Sequence, residues 1–287
     1  MDRTLKQAYA LLLAFEIFSA SVFPPKLTLP HRHKKECIEK RVVSLMTPEL
    51  FELKCRLKAD GYDISSAIED SRFRLYWPEK SKVTKDAAKP SGNFYLSPDF
   101  GFYTELSFEQ AVKYYDKNRK WLEKAEKVNN ISGAAEYIVA IHQIESNFGK
   151  KTGKKPVFNS LASMYVQGKR KKFAYNELKE FLSLKGKIYN NYFQIKGSWA
   201  GAFGNSQTIP STYKNYYKDF DNDGVANPYS TADSIGFTAN YLKSCGFEES
   251  IKKAIYGYNR SKRYVEAVDV FAKELKKRIK PKQKTNA

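Results

Sequence analysis

The sequence predicts a mainly α protein, α+β only through at most one small sheet or hairpin. Three observations carry this. Apolar residues recur with helical spacing from Thr47 onward. Capping residues and glycines bound the segments so patterned. Only a few residues, around 192–195, read as a small sheet or hairpin.

In order along the chain, a helical pattern begins at Thr47, and the polar residues 82–92 read as a loop. Ser107-Phe-Glu-Gln110 has the form of a capping box opening a long helix, with Phe108, Val112, Tyr115 and Leu122 inward. A shorter helix is expected over about 133–148, with Ser132 as N-cap and Gly149 as its stop. Residues 159–184 read as one or two helices separated by the basic turn Gly168-Lys-Arg-Lys-Lys172. Gly197-Ser-Trp-Ala-Gly-Ala-Phe-Gly204 is too rich in small residues to be helical throughout. Residues 231–244 form a helix ending at Gly246. Residues 261–279 form a last amphipathic helix with Tyr264, Val268, Phe271 and Leu275 inward. No internal repeat is present.

The 287 residues suit one large domain or two small ones, with ample length for a core, and 42% hydrophobic content excludes wholesale disorder. Fifty Lys and Arg against 31 Asp and Glu leave +19, which favours an anionic partner. Nucleic acid is not that partner on this reading, because the basic residues are spread along the chain and no nucleic-acid motif occurs. Cys37, Cys55 and Cys245 lack CxxC spacing, which excludes a disulfide scaffold and a cysteine zinc site.

Residues 1–22 read as a secretory signal peptide: Arg3 and Lys6, then the apolar run 8–15, then Ser19-Ala-Ser21. Glu16 interrupts the pattern, and an ordinary N-terminal helix is the alternative. Export would allow Cys37 and Cys55 to pair. Residues 23–46 form a basic linker, 47–280 the folded domain and 281–287 a basic tail. No run reaches the roughly 20 apolar residues of a membrane-spanning helix.

One residue breaks the helical pattern. Ile138, Ile141 and Phe148 share a face, and Glu145 lies on it. Apolar neighbours and the negative helix end both raise a carboxyl pKa, which is what a general acid needs near neutrality. The alternative is a Glu at the stripe's edge, paired with one of many lysines. Glu136 lies nine residues earlier, roughly 13–14 Å along the helix, too far to act as a second carboxylate.

Ile144-Glu-Ser-Asn-Phe-Gly149 resembles the catalytic motif of lytic transglycosylases. Gly197-Ser-Trp-Ala-Gly-Ala-Phe-Gly-Asn-Ser-Gln-Thr-Ile-Pro-Ser211 resembles the second motif of their B-type branch, and Tyr258-Asn259 the third. The order and separations agree, and with residues 219–246 the resemblance runs from about Phe51 to Leu275. It implies a lysozyme-like helical fold and cleavage of the β-1,4 bond between N-acetylmuramic acid and N-acetylglucosamine, leaving 1,6-anhydromuramyl ends. Glu145 would be the single catalytic acid and base. Gln207 would hydrogen-bond the sugar beside the cleavage point, Tyr258 would orient Glu145, and Asn259 would bind substrate. Ser146, Ser198 and Tyr264 occupy positions near the cleft. Asn205-Ser206 stands where the family usually has a glycine directly before the glutamine, Thr208 replaces an aromatic and Phe203 replaces a methionine.

Asp219-Phe-Asp-Asn-Asp-Gly224 matches the first half of an EF-hand loop, with Val225 supplying a carbonyl. Position 12 is Ser230 rather than a bidentate Glu, so an ordinary EF-hand is excluded. The resemblance adds Asp233 as the closing ligand. Ser230-Thr-Ala-Asp233 is also a capping box, which would employ Asp233 locally. A structural Ca²⁺ is expected, with no cofactor for the chemistry. The expected protein is an exported, monomeric, periplasmic or cell-envelope enzyme acting on peptidoglycan glycan strands. The alternatives are a hydrolytic muramidase and a non-catalytic peptidoglycan-binding protein of the same fold.

Overall fold

The computed structural model describes residues 46–77, 92–168 and 170–279. The signal peptide, almost all of the basic linker, Cys37, most of the 82–92 loop, Lys169 and the basic tail lie outside the described residues. Ten α-helices are present among them: α1 (Pro48–Ala59), α2 (Ser65–Glu69), α3 (Glu105–Asn129), α4 (Ala135–Ser146), α5 (Val157–Val166), α6 (Lys171–Leu182), α7 (Pro210–Tyr216), α8 (Thr231–Ser244), α9 (Ile251–Tyr258) and α10 (Lys262–Arg278). The mainly helical expectation holds. No helix among the described residues is long and apolar enough to cross a membrane.

Local chemistry sets most boundaries. Thr47 caps α1 with Pro48 at its first position, and Ser230, Ser250 and Ser261 cap α8, α9 and α10 through their side chains. The long helix differs from its expected start. Thr104, not Ser107, accepts the capping hydrogen bond, from Ser107 N at 3.2 Å. Ser107 is buried inside the first turn and accepts from Gln143 of α4. Helix α4 starts two residues later than expected and has no side-chain cap of its own. Instead Glu126 Oε1, from α3, accepts from Ala135 N at 2.9 Å, so tertiary contact supplies the cap.

The small sheet also differs in place. It pairs β1 (Lys155–Pro156) antiparallel with β2 (Lys196–Gly197), in register Lys155 to Gly197. It is a long-range pair, not a hairpin at 192–195, and it ties the segment after Glu145 to the second motif. Gly153 lies flat against that motif with φ +94°, and a Cβ there would come within 2.1 Å of Gly197 C and O. Gly153→Ala is therefore expected to lower Tm by about 5–10 °C, through roughly 2–4 kcal/mol of overpacking and backbone strain. A thermal melt checks this.

Two apolar clusters organise the molecule. One joins α1, α2, α5 and α6 with Tyr189, Phe203, Tyr213 and Phe237, and the other joins α3, α4, α9 and α10 with Tyr95, Phe102 and Ile235. Helix α8 serves both, since Phe237 and Ile235 point to different clusters. Tyr258 packs against both. His142 of α4 is fully buried between α3 and α8. Thr238 Oγ1 already donates to Ser234 O, so His142 Nε2–H donates to Thr238 Oγ1 at 2.9 Å and Nδ1 accepts from Tyr114 at 2.8 Å. Burial lowers this imidazole to about 4, keeping it neutral.

Candidate active site

Glu145 stands one residue before the end of α4, between Ile144 and Phe148, which pack against the second cluster. The residue is partly exposed while its carboxyl is packed among protein atoms. Burial raises its pKa to about 7, and a hydrogen bond from Tyr264 Oη to Oε1, 2.9 Å, acts in the opposite direction. Neither a lysine nor a second carboxylate contributes to that environment. The lysine-paired alternative is not what the fold builds.

The helix ends in a strained turn. Asn147 (φ 47°), Phe148 (φ 57°) and Gly149 (φ 84°) are all left-handed, a conformation that costs a bulky residue on the order of 1–3 kcal/mol. Phe148 therefore leaves the helical stripe on which the spacing placed it, and its ring stacks on Tyr114 at 4.3 Å. Ser146 locks the turn. It is buried, its Oγ accepts from Gly149 N at 2.9 Å, and it donates to Asn205 O of the second motif at 2.6 Å.

Asn205, which departs from the family's pattern, holds the other side. Its Nδ2 donates to Tyr229 O at 2.9 Å, its N–H donates to Pro228 O, and its Oδ1 lies where a Cβ on Gly149 would come to 2.6 Å. Gln207 is also left-handed (φ 46°) and half-buried. Its Nε2 donates to Thr152 O at 3.1 Å and Gly204 O at 2.8 Å. Ser198 is buried, and its Oγ accepts from Ala200 N and Ala202 N, closing the tight turn of the second motif.

The third motif differs from expectation in one bond. Tyr258 does not donate to Glu145. Its hydroxyl goes to Ser206 O at 2.8 Å, securing the second-motif loop from α9. Tyr264, from the next helix, makes the bond to Glu145 instead. Asn259 follows as the C-cap of α9 and is half-buried. Tyr95 was not legible from sequence. It is fully buried edge-on to Tyr264 at 5.9 Å, its hydroxyl has no hydrogen-bond partner among the described residues, and the Glu145 charge adds to the burial that raises its pKa. No local pattern marks it, since it sits in a single 3₁₀ turn far from every motif.

Tyr264→Phe is expected to cut kcat about tenfold and move the alkaline limb of kcat/KM to higher pH, because the lost donor had favoured the ionised carboxyl. A pH–rate profile of the variant checks both.

The acidic loop comes together in part. Oxygens of Asp219, Asp221 and Asp233 lie within 4.8 Å of one another, and Asp223 is outside that group. Asp223 Oδ1 accepts from Val225 N, and Val225 is exposed. Asp233 is fully buried and accepts from Phe220 N and Asn227 N, both at 2.7 Å. Ser230 Oγ caps Asp233 N at 3.3 Å, but Ser230 N donates to Asn227 O, so only the Ser230 half of the expected capping box forms and the Asp233 carboxylate closes the loop instead. Asp221 Oδ1 is buried and has no hydrogen-bond partner among the described residues. A carboxylate with one buried oxygen lacking a donor, grouped with two further carboxylates, fits a hard cation such as Ca²⁺.

A hollow of about 460 Å³ lined by Tyr137, Phe247, Lys252, Asp269 and Lys273 includes none of these residues. Its three carboxylates are already held: Asp269 by Tyr137 Oη and Lys273 Nζ, Glu248 by Lys243 Nζ and Glu249 by Lys253 Nζ.

Residues 53–252 match the family described as Transglycosylase SLT domain. The chain belongs to that family. Among relatives of this SLT-domain protein, the membrane-bound lytic murein transglycosylase B of Escherichia coli K12 is 31% identical over 189 residues, which is 65% of this chain and 51% of that one. The match thus spans about half of that relative's length. The fold of this SLT-domain protein is similar to that of soluble lytic transglycosylase SltB1 from Pseudomonas aeruginosa, with TM-score 0.70 and 22% identity over 80% of this chain and 99% of that one. It is also similar to E. coli lytic transglycosylase Slt35 in complex with calcium, with TM-score 0.67 and 21% identity over 80% and 93% of the two chains.

Proposed function

We propose that this SLT-domain protein is a lytic transglycosylase that cleaves the β-1,4 bond between N-acetylmuramic acid and N-acetylglucosamine in peptidoglycan. The observation that carries this reading is Glu145: a lone carboxyl, raised to about 7 by burial, with no second carboxylate contributing to its environment. A pair of acids is what most glycosidases need, and one acid suffices only if the substrate supplies the second function.

The steps follow from that one group. Protonated Glu145 gives its proton to the glycosidic oxygen, and the C1–O bond breaks. The carboxylate so formed accepts the proton of the muramyl 6-hydroxyl as that oxygen bonds to C1. The ring closes to the 1,6-anhydro product, and Glu145 is protonated again without consuming water. Tyr264 steadies the carboxylate in the middle of this cycle. Gln207, with its amide nitrogen spent on Thr152 and Gly204, keeps Oε1 for a sugar hydroxyl, and Asn259 would bind substrate polar groups through its amide. Ser146, Ser198 and Tyr258 act by fixing the loops that carry these groups. Asp219, Asp221 and Asp233 would hold a structural cation that pins the loop before α8 and takes no part in the chemistry. Peptidoglycan places the protein in the periplasm or cell envelope.

Digestion of purified sacculi, with mass spectrometry of the product ends, tests the reading. Anhydromuramyl ends are expected. Reducing ends would mean hydrolysis, and no release would mean a binding protein.

A further inference from the structure

The segment joining Glu145 to the second motif carries charge that the reaction above does not use. Lys150, Lys151, Lys154 and Lys155 fall within ten residues of Glu145, and no acidic residue follows until Glu177, which is buried and held by Ser211. The backbone of this segment is fixed on every side. Lys151 N donates to Ser146 O at 2.8 Å and Lys150 N to Asn147 O at 3.2 Å. Thr152 O accepts from Gln207, Gly153 lies against Gly197, and Lys155 pairs with Gly197 across the sheet. Lys150, Lys151 and Lys154 are exposed, as is Lys196 on the facing strand, and none of these four is in an ion pair among the described residues. None adjusts Glu145 electrostatically either. The charge of these lysines is therefore spent neither on the acid nor on an ion pair.

Resting on the transglycosylase reading, we propose that Lys150, Lys151 and Lys154 form an anion-selective lip of the cleavage site that recognises the carboxylates of the peptide stems carried by muramic acid. The glycan backbone is neutral and offers these ammonium groups no charge. The stems bring carboxylates to the glycan at the muramic acid itself, the sugar on which Glu145 acts. A strand held at Glu145 is held beside a lysine segment tied to Ser146 through Lys151 N and to Gln207 through Thr152 O, so stem recognition and sugar placement share one rigid segment. Long-range attraction also speeds the encounter with a polyanionic strand, which makes the effect salt-dependent.

Binding separates this inference from the reaction it rests on. Sacculi freed of bound protein and covalently attached polymers are compared with the same cross-linked sacculi whose stem carboxylates have been converted to neutral amides with a carbodiimide and excess ethanolamine, in a sedimentation assay. For wild-type protein, affinity is expected to be higher on the untreated, charged material. In the combined variant Lys150→Gln, Lys151→Gln, Lys154→Gln it should fall about tenfold there, the size expected of a few exposed ion pairs, and the preference over the amidated sacculi should vanish. The triple arginine variant should restore the preference, and Tm should match wild type for both variants. Equal losses on the two materials, or no loss on either, would overturn the lip. Anhydro ends are read separately, so a protein that prefers stems yet releases none would overturn the reaction and leave the lip standing.

Discussion

Glu145→Gln is expected to abolish turnover, by on the order of 10³-fold or more, while leaving glycan binding nearly intact. The amide is close in shape to the neutral acid but has no proton to give, and general acid catalysis alone accounts for about 10²–10⁴-fold. The pH dependence follows from the raised pKa. The acid form predominates below about 7, so the wild-type rate should fall about tenfold per pH unit above that value. The same residue should affect stability in the opposite sense. Its folded pKa exceeds the unfolded value near 4.3, so the native state binds more protons between the two, and stability declines as pH rises through that window. Glu145→Gln removes the buried charge and should raise Tm at pH 8 by roughly 2–6 °C, from on the order of 1–2 kcal/mol. Product release from sacculi and thermal melts at two pH values check the two halves. A variant that loses activity with no gain in Tm at pH 8 would mean that the carboxyl is solvated.

The second large effect concerns the acidic loop. Asp219, Asp221 and Asp233 bring three carboxylates within 4.8 Å, and without a counter-ion they repel one another. Calcium should raise Tm by several degrees, through about 2.7 kcal/mol at a hundredfold excess over Kd. Asp221→Asn should invert the order. In chelator it should melt above wild type, because one repelling charge is gone. In calcium it should melt below, because the oxygen that lacked a partner is now part of an amide. Asp221 is the residue to change, since Asp233 also caps Phe220 and Asn227 and its loss would confuse two effects. Thermal melts in chelator and in calcium, with calorimetric titration, decide it. A wild-type Tm indifferent to both conditions would fail the cation reading.

Much of the fold was legible locally. Thr47, Ser230 and Ser261 mark helix starts that the structure reproduces, because a capping hydroxyl acts on the backbone three residues away and needs no other part of the chain. Helices α7 and α9 were not read, because short helices of 7 and 8 residues owe their stability to packing rather than to periodicity. Ser107-Phe-Glu-Gln110 shows the limit of a pattern. Thr104 stood three residues ahead with the same chemistry, and Gln143, 36 positions away, took the Ser107 hydroxyl.

The sequence by itself determined that an acid lies on an apolar helical stripe close to the helix end, and that three aspartates and a glycine share one loop. Periodicity and spacing are local properties, and they survive in any fold that keeps the helix and the turn. The tertiary structure decided which hydroxyl serves that acid. Tyr264 of α10 donates to Glu145, and Tyr258 at the end of α9, which packs against both clusters, donates to Ser206 O. Six residues of separation in sequence say nothing of which ring arrives. Packing decided also that Tyr95 lies edge-on to Tyr264, that Asp223 stays out of the carboxylate group, and that Gly153 brings the lysine segment against the second motif. These are distances between remote parts of the chain, fixed only when the two clusters close on one another.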